Sequence, residues 1–233
     1  MCAQLILVTH AMTSLPEKPA LRIDFVSDVA CPWCAVGLNS LEMALQAVAG
    51  EIRIELHFQP FELNPTMAAV GADAGDYLKA KYGMGDEQLV RNRAVLRERG
   101  AAVGFDFGDR VRVWNTFDAH RLLHWAGLQS GDAQRALKHA MLRAYHGQGL
   151  NPSDPHLLAR LAGDAGLDAL EAVAVLSDGR YADEVRTAEA EWQRAGIHSV
   201  PSIVINRQHL IQGGQAPEVF EQALRQIADS SPP

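Results

Sequence analysis

A chain of 233 residues, 48% hydrophobic and 21% charged, is long enough to bury a sizeable core and has the makeup of an ordinary globular protein. Its 28 acidic residues outweigh 21 basic ones for a net charge of -7, and no basic run interleaved with aromatics occurs, which argues against nucleic acid and anionic membrane surfaces as partners. No stretch approaches the roughly 18 apolar residues that cross a bilayer, so no membrane span is expected.

The chain opens on MCAQLILVTHAM, whose apolar run from Leu5 to Val8 lacks a charged flank and falls short of the roughly 7–15 residues of a secretory signal. Residues 1–19 therefore read as a flexible leader, with Met12 as an alternative start, and a cytoplasmic location is expected. Leu21, Ile23 and Phe25 then alternate with Arg22 and Asp24, the period of two of a strand. Pro32 to about Ala49 reads as a helix with Leu41, Leu45 and Val48 on one face, ended near Gly50. Ile52, Ile54, Leu56 and Phe58 alternate again, so strand, helix and strand predict a parallel pair with a crossover helix.

From about Asp73 to Gly196 the composition is almost continuously helical. Helices are expected near residues 74–82, 86–103, 116–126, 133–146, 154–165, 168–176 and 181–195. Strand character returns at Ser202–Ile205 and His209–Gln212, separated by Asn206-Arg207-Gln208, which predicts a hairpin. A last helix carries Phe220, Leu224 and Ile227 on one face. The expected organisation is one unit from residues 20–72 and 196–230, interrupted by a helical domain at 73–195.

Two of the three cysteines stand as Cys31-Pro32-Trp33-Cys34, spacing that suits redox work or metal binding; Cys2 reads as an incidental thiol. A helix starting after Cys31 puts that residue at the N-cap and Pro32 in the first turn, where its missing N–H costs nothing. Cys34, three residues on, shares its face, so the two sulfurs can form a reversible disulfide. Free amides and the positive helix end favour an anion at Cys31. Its thiol is expected below the free value of about 8.5, which makes it the nucleophile and Cys34 the resolving thiol. A zinc site is the competing reading, and His120 and His124, four residues apart, are its available extra ligands. No metal is assigned. Ser199-Val200-Pro201-Ser202 precedes the third strand, where a proline is tolerated only at the first residue.

With CPWC after the first strand and Val200-Pro201 before the third, the chain resembles the thioredoxin superfamily, and its helical insertion resembles the DsbA-like group. It is most similar to FrnE-like proteins, relatives of 2-hydroxychromene-2-carboxylate isomerase and kappa-class glutathione transferase. The motifs are DVACPWCAVG, FELNPTM, YLKAKYG, NTFDAHRLLHWA, YADEVR and GIHSVPSIVIN. The resemblance implies an α/β thioredoxin fold (β-α-β then β-β-α) with a large all-helical insertion. It implies a cis Val200–Pro201 bond beside the sulfurs, with the Val200 backbone presented to an extended substrate. Trp33 would lie at the docking surface or pack onto the insertion. Asn115 and His120 would line the cleft or serve as cap and core residues. Phe61, Asn64 and Pro65 would shape the adjoining loop.

One departure concerns the residues between the cysteines. Oxidising periplasmic members carry His there, where this chain has Pro32 and Trp33, and Asp28 lies three residues upstream. Asp28 is either a solvated turn residue, a carboxylate opposing the thiolate, or a buried acid relaying a proton to Cys34. A less oxidising couple is expected.

The expected function is disulfide exchange with protein or peptide dithiols, with no bound cofactor; glutathione is the co-substrate left open. The alternatives are a glutathione-dependent isomerase or transferase on small aromatic substrates, and a redox-responsive or zinc-stabilised binding protein. Oligomeric state is not legible.

Overall fold

The computed structural model describes residues 20–230, so the expected leader at 1–19 and Cys2 lie outside the described residues. Strand β1 (Ala20–Ser27) is followed by helix α1 (Pro32–Val48) and strand β2 (Arg53–Pro60). β1 and β2 pair in parallel, with Phe25 opposite Phe58. The chain closes with β5 (Ser202–Ile205), β6 (His209–Gln212) and α9 (Pro217–Ser230). β5 joins β1 antiparallel and β6 joins β5, giving the order β2-β1-β5-β6.

The physical reason is visible in β1. Leu21, Ile23 and Phe25 project into one core with Leu38 and Leu41 of α1, Ile203 and Ile205 of β5, and Phe220 and Leu224 of α9. Val26 points the other way, into a small cluster with Phe61, Ile197 and Val204. A central strand covered on both faces holds the end of β1 rigidly, and the cysteine pair follows that end directly. The tight hairpin between β5 and β6 places Asn206 and Arg207 at positive φ (52° and 56°).

Between β2 and β5 the segment expected to be helical contains α2 (Ala74–Tyr82), α3 (Asp86–Ala102), α4 (Phe117–Gln129) and α5 (Gly131–Leu142). After them come α6 (Pro155–Asp164), α7 (Ala169–Asp178) and α8 (Ala182–Arg194). Asp154 caps α6 ahead of Pro155, as the start signal there predicts. Two features depart from the helical expectation. Ala72–Asp73 (β3) and Arg112–Val113 (β4) pair as a short antiparallel ribbon, and α5 ends at Leu142, where the chain widens into a π-helical turn, Arg143–Gly147. The insertion has its own core, including Leu122, Trp125, Leu137, Met141 and Leu158, yet Val29 and Ala30 from the turn before α1 belong to it. Among the described residues no helix is long and apolar enough to cross a membrane.

Candidate active site

Cys31 is the N-cap of α1 in extended geometry, and Pro32 begins the helix. Both cysteines are buried, Cys34 completely and Cys31 with 5% of its surface open, and both are free thiols. Pro32 and Trp33 between them are partly exposed. The Cys31 Sγ stands 3.5 Å from the carbonyl oxygen of Val200, and the Val200–Pro201 peptide is cis. Pro201 is buried against α1, with its ring over Gly37. The four residues named for this corner of the site, Cys31, Cys34, Val200 and Pro201, therefore meet.

The two sulfurs are driven in opposite directions. A hydrogen bond from the Cys34 thiol lowers the pKa of Cys31 below its ordinary value. Burial opposes this, the amides of Cys34 and Trp33 reinforce it, and the Asp28 charge works against it. Burial pushes Cys34 well above its ordinary value, and the neighbouring Cys31 adds to this. One thiol is thus prepared to ionise while the other holds its proton.

Asp28 is not a solvated turn residue; its side chain is fully enclosed. Oδ1 accepts bonds from the Ala30 amide (2.9 Å), the Thr116 hydroxyl (2.7 Å) and His120 Nε2 (3.3 Å), and Oδ2 from the Leu63 amide (2.7 Å). Burial alone would raise its pKa, but the His120 contact and the backbone donors outweigh it and the net shift is downward. The downward shift favours the ionised form, and its charge opposes the Cys31 thiolate. The carboxylate clamps β1, the loop after β2 and α4 together.

His120 is buried on α4 facing Asp28, and it also lines a small cavity of about 30 Å³. Asn115 lies at the start of α4, where its Oδ1 accepts from the Phe117 amide (2.8 Å) and its Nδ2 reaches Glu62 at 3.4 Å. Its bonds do not run to the cysteines. Asn64 accepts bonds from Tyr77 and Lys81, Phe61 is buried beneath the same loop, and Pro65 is exposed. His124 stacks on Tyr181 with centroids 5.2 Å apart. Among the described residues no three His, Cys, Asp or Glu side chains gather as metal ligands, so the two histidines do not complete a zinc site with the cysteines.

Three residues of this neighbourhood carried no individual sequence signal. His146 donates from Nε2 to the Val29 carbonyl (2.8 Å), and Arg110 donates to the Ala30 carbonyl (2.9 Å). Lys138 of α5 is 1% exposed, and the charge of Cys34 acts on it. It falls four residues before buried Leu142 and four after buried Gln134, an inward stripe that could have disclosed it.

A β-α-β/β-β-α sheet, a cysteine pair opening its first helix and a cis-proline beside it define a thioredoxin-fold protein with a helical insertion. The family described as the DSBA-like thioredoxin domain matches residues 22–225, and the chain belongs to it. A probable DsbA oxidoreductase from Streptomyces coelicolor superposes with a TM-score of 0.83 at 38% identity, over 91% of this chain and 92% of that one. At the level of fold alone the chain also resembles 2-hydroxychromene-2-carboxylate isomerase (TM-score 0.68, 16% identity, 91% and 100% covered). The same holds for the cytosolic disulfide reductase DsbM from Pseudomonas aeruginosa (TM-score 0.60, 18% identity, 89% and 99% covered), whose structure includes GSH.

Proposed function

We propose that this DsbA-like protein exchanges disulfides with protein or peptide dithiols through Cys31 and Cys34. The observation that carries this reading is the opposed ionisation of two sulfurs one helical turn apart, with Cys31 against the Val200 carbonyl. The Cys31 thiolate attacks one sulfur of a substrate disulfide, the other leaves as a thiolate, and a mixed disulfide forms. Cys34 then attacks Cys31, closing the internal disulfide and releasing the second substrate thiol; the reverse sequence oxidises a dithiol. The Val200 backbone is the docking edge for an extended substrate segment, with Trp33 beside it. No resident cofactor is required, because the electrons pass between sulfurs. We place the protein in the cytoplasm, as its fold neighbour DsbM is described.

A second reading, glutathione-dependent chemistry on a small substrate, is favoured by the fold shared with the isomerase and by the GSH held by DsbM. Cys34 separates the two, since only disulfide exchange consumes it. In insulin-reduction and scrambled-ribonuclease assays, Cys31→Ser is expected to be inactive. Cys34→Ala is expected to accumulate a covalent mixed disulfide with a peptide thiol. Activity surviving in Cys31→Ser would remove the leading reading; isomerase activity that persists with glutathione in Cys34→Ala would install the second.

A further inference from the structure

A cavity of about 470 Å³ lies between α5 and α6, and none of its lining residues belongs to the cysteine corner. Its walls are short side chains: Ala136, Ala140 and Ala144 at four-residue spacing on one side, Leu161 and Ala165 on the other. The π-helical turn Arg143–Gly147 widens the chain here, and Arg143 and the following Gln148 both line the space. Asp164, at the end of α6, lines it too. These three polar side chains are exposed, and among the described residues none of them has a hydrogen bond or ion pair. Arg143 and Asp164 thus share a cavity without pairing across it. The remaining polar group, His139, is already engaged, its Nε2 bonding Glu42 of α1 at 2.9 Å. The volume falls within the roughly 300–1,000 Å³ of small-molecule sites, which combine apolar walls with a few polar groups that fix orientation.

We propose that this cavity binds a small zwitterion: a dipeptide-sized molecule with a free amino end, a free carboxylate end and an apolar side chain. The Arg143 guanidinium takes the carboxylate in paired hydrogen bonds, and the Asp164 carboxylate accepts from the ammonium. Gln148, at once donor and acceptor, meets the peptide group between the two ends. The alanine walls leave room for the apolar side chain, and its burial there adds a contribution that does not depend on charge. A simple anion drawn to Arg143 would meet the like charge of Asp164 in the same space, and a simple cation the reverse. A molecule carrying both charges satisfies both residues. The site stands apart from the cysteine pair, so it holds whether or not the exchange reading does.

Calorimetric titration and amide NMR of the full chain with alanyl-leucine test this. Binding should saturate, with shifts centred on Ala140, Arg143, Asp164 and Ala165. Acetylating the amino end or amidating the carboxylate should each weaken binding about tenfold, the size of one charge-assisted hydrogen bond. Arg143→Gln should weaken alanyl-leucine about tenfold but leave the amidated form unaffected. Asp164→Asn should do the same to the intact and acetylated forms. Ala140→Leu keeps both charges but fills the cavity, and should weaken binding at least as much. The modified ligands need no variant, so the test survives a substitution that does not fold. Absence of saturable binding, equal affinity for the intact and blocked dipeptides, or shifts confined to Cys31 and Val200 would each overturn the proposal.

Discussion

At the residue scale, Asp28 shows how one enclosed carboxylate serves stability and opposes reactivity at once. Its two oxygens satisfy donors from Ala30, Leu63, Thr116 and His120. Its negative charge meanwhile works against ionisation of Cys31. Asp28→Asn puts an amide donor where only acceptors fit, so the variant should lose about 3 kcal/mol of unfolding free energy in urea titrations. The same change should lower the pH midpoint of Cys31 alkylation by iodoacetamide, because the opposing charge is gone. A thiolate made easier to form stabilises the reduced protein, so the couple should also become more oxidising. In the wild type, Pro32 and Trp33 supply no cation between the cysteines and Asp28 stays ionised. Its potential against glutathione should therefore fall nearer thioredoxin's value of about −270 mV than the about −120 mV of the periplasmic oxidant.

At the element scale, the site depends on how closely α1 approaches the Pro201 turn. A Cβ built on Gly37 would stand 2.9 Å from Pro201 Cγ and 3.3 Å from Gly214 Cα. Alanine offers a helix interior about 1 kcal/mol over glycine, but forcing a methyl into a packed contact costs about 1–3 kcal/mol. Gly37→Ala should therefore lower the urea midpoint and slow disulfide exchange, since Pro201 and Val200 can yield only by moving away from Cys31. An unchanged midpoint with full activity would mean that the turn is softer than its packing indicates. The elements meeting here were legible because their signals are local: Leu21, Ile23 and Phe25 alternate, and Pro32 marks the start of α1. The β3–β4 ribbon pairs two residues on each side, too few to establish a period, and the π-helical turn at Arg143 interrupts a pattern that continues helically in sequence. Asp28 reads as a turn residue because only the arrival of α4 encloses it; Lys138 lies on an inward stripe, but its enclosure depends on how α5 lands on its neighbours. Cysteine spacing was local information; the surroundings that tune the cysteines come from distant chain.

At the scale of the whole molecule, buried titratable groups join the insertion to the sheet, and this sets how the fold responds to acid. Glu42 of α1 bonds Arg135 and His139 of α5, at 2.5 Å and 2.9 Å. Burial would raise its pKa, but His139 and Arg135 outweigh it, so Glu42, like Asp28, is held below the ordinary carboxylate range. For both, the stabilising contribution is complete above the unfolded value of about 4 and is lost as pH falls through the lower folded value. His146 acts earlier. Burial, reinforced by Arg110, pushes it down from 6.5 to about 3, so below about 6.5 the unfolded chain binds a proton that the native protein refuses. Stability should thus begin to fall near pH 6.5, by at most about 1.4 kcal/mol per pH unit for this one group, before the two carboxylates contribute. Glu189, whose pKa burial raises, works in the opposite sense, but equally in a variant that changes only His146. His146→Phe removes the titrating ring and its bond to Val29, so it should cost about 1 kcal/mol at pH 7.5 yet lose less stability than wild type between pH 7 and 5. Urea unfolding across that range tests the assignment, and parallel curves for the two proteins would show that His146 is not what couples the insertion to mild acid.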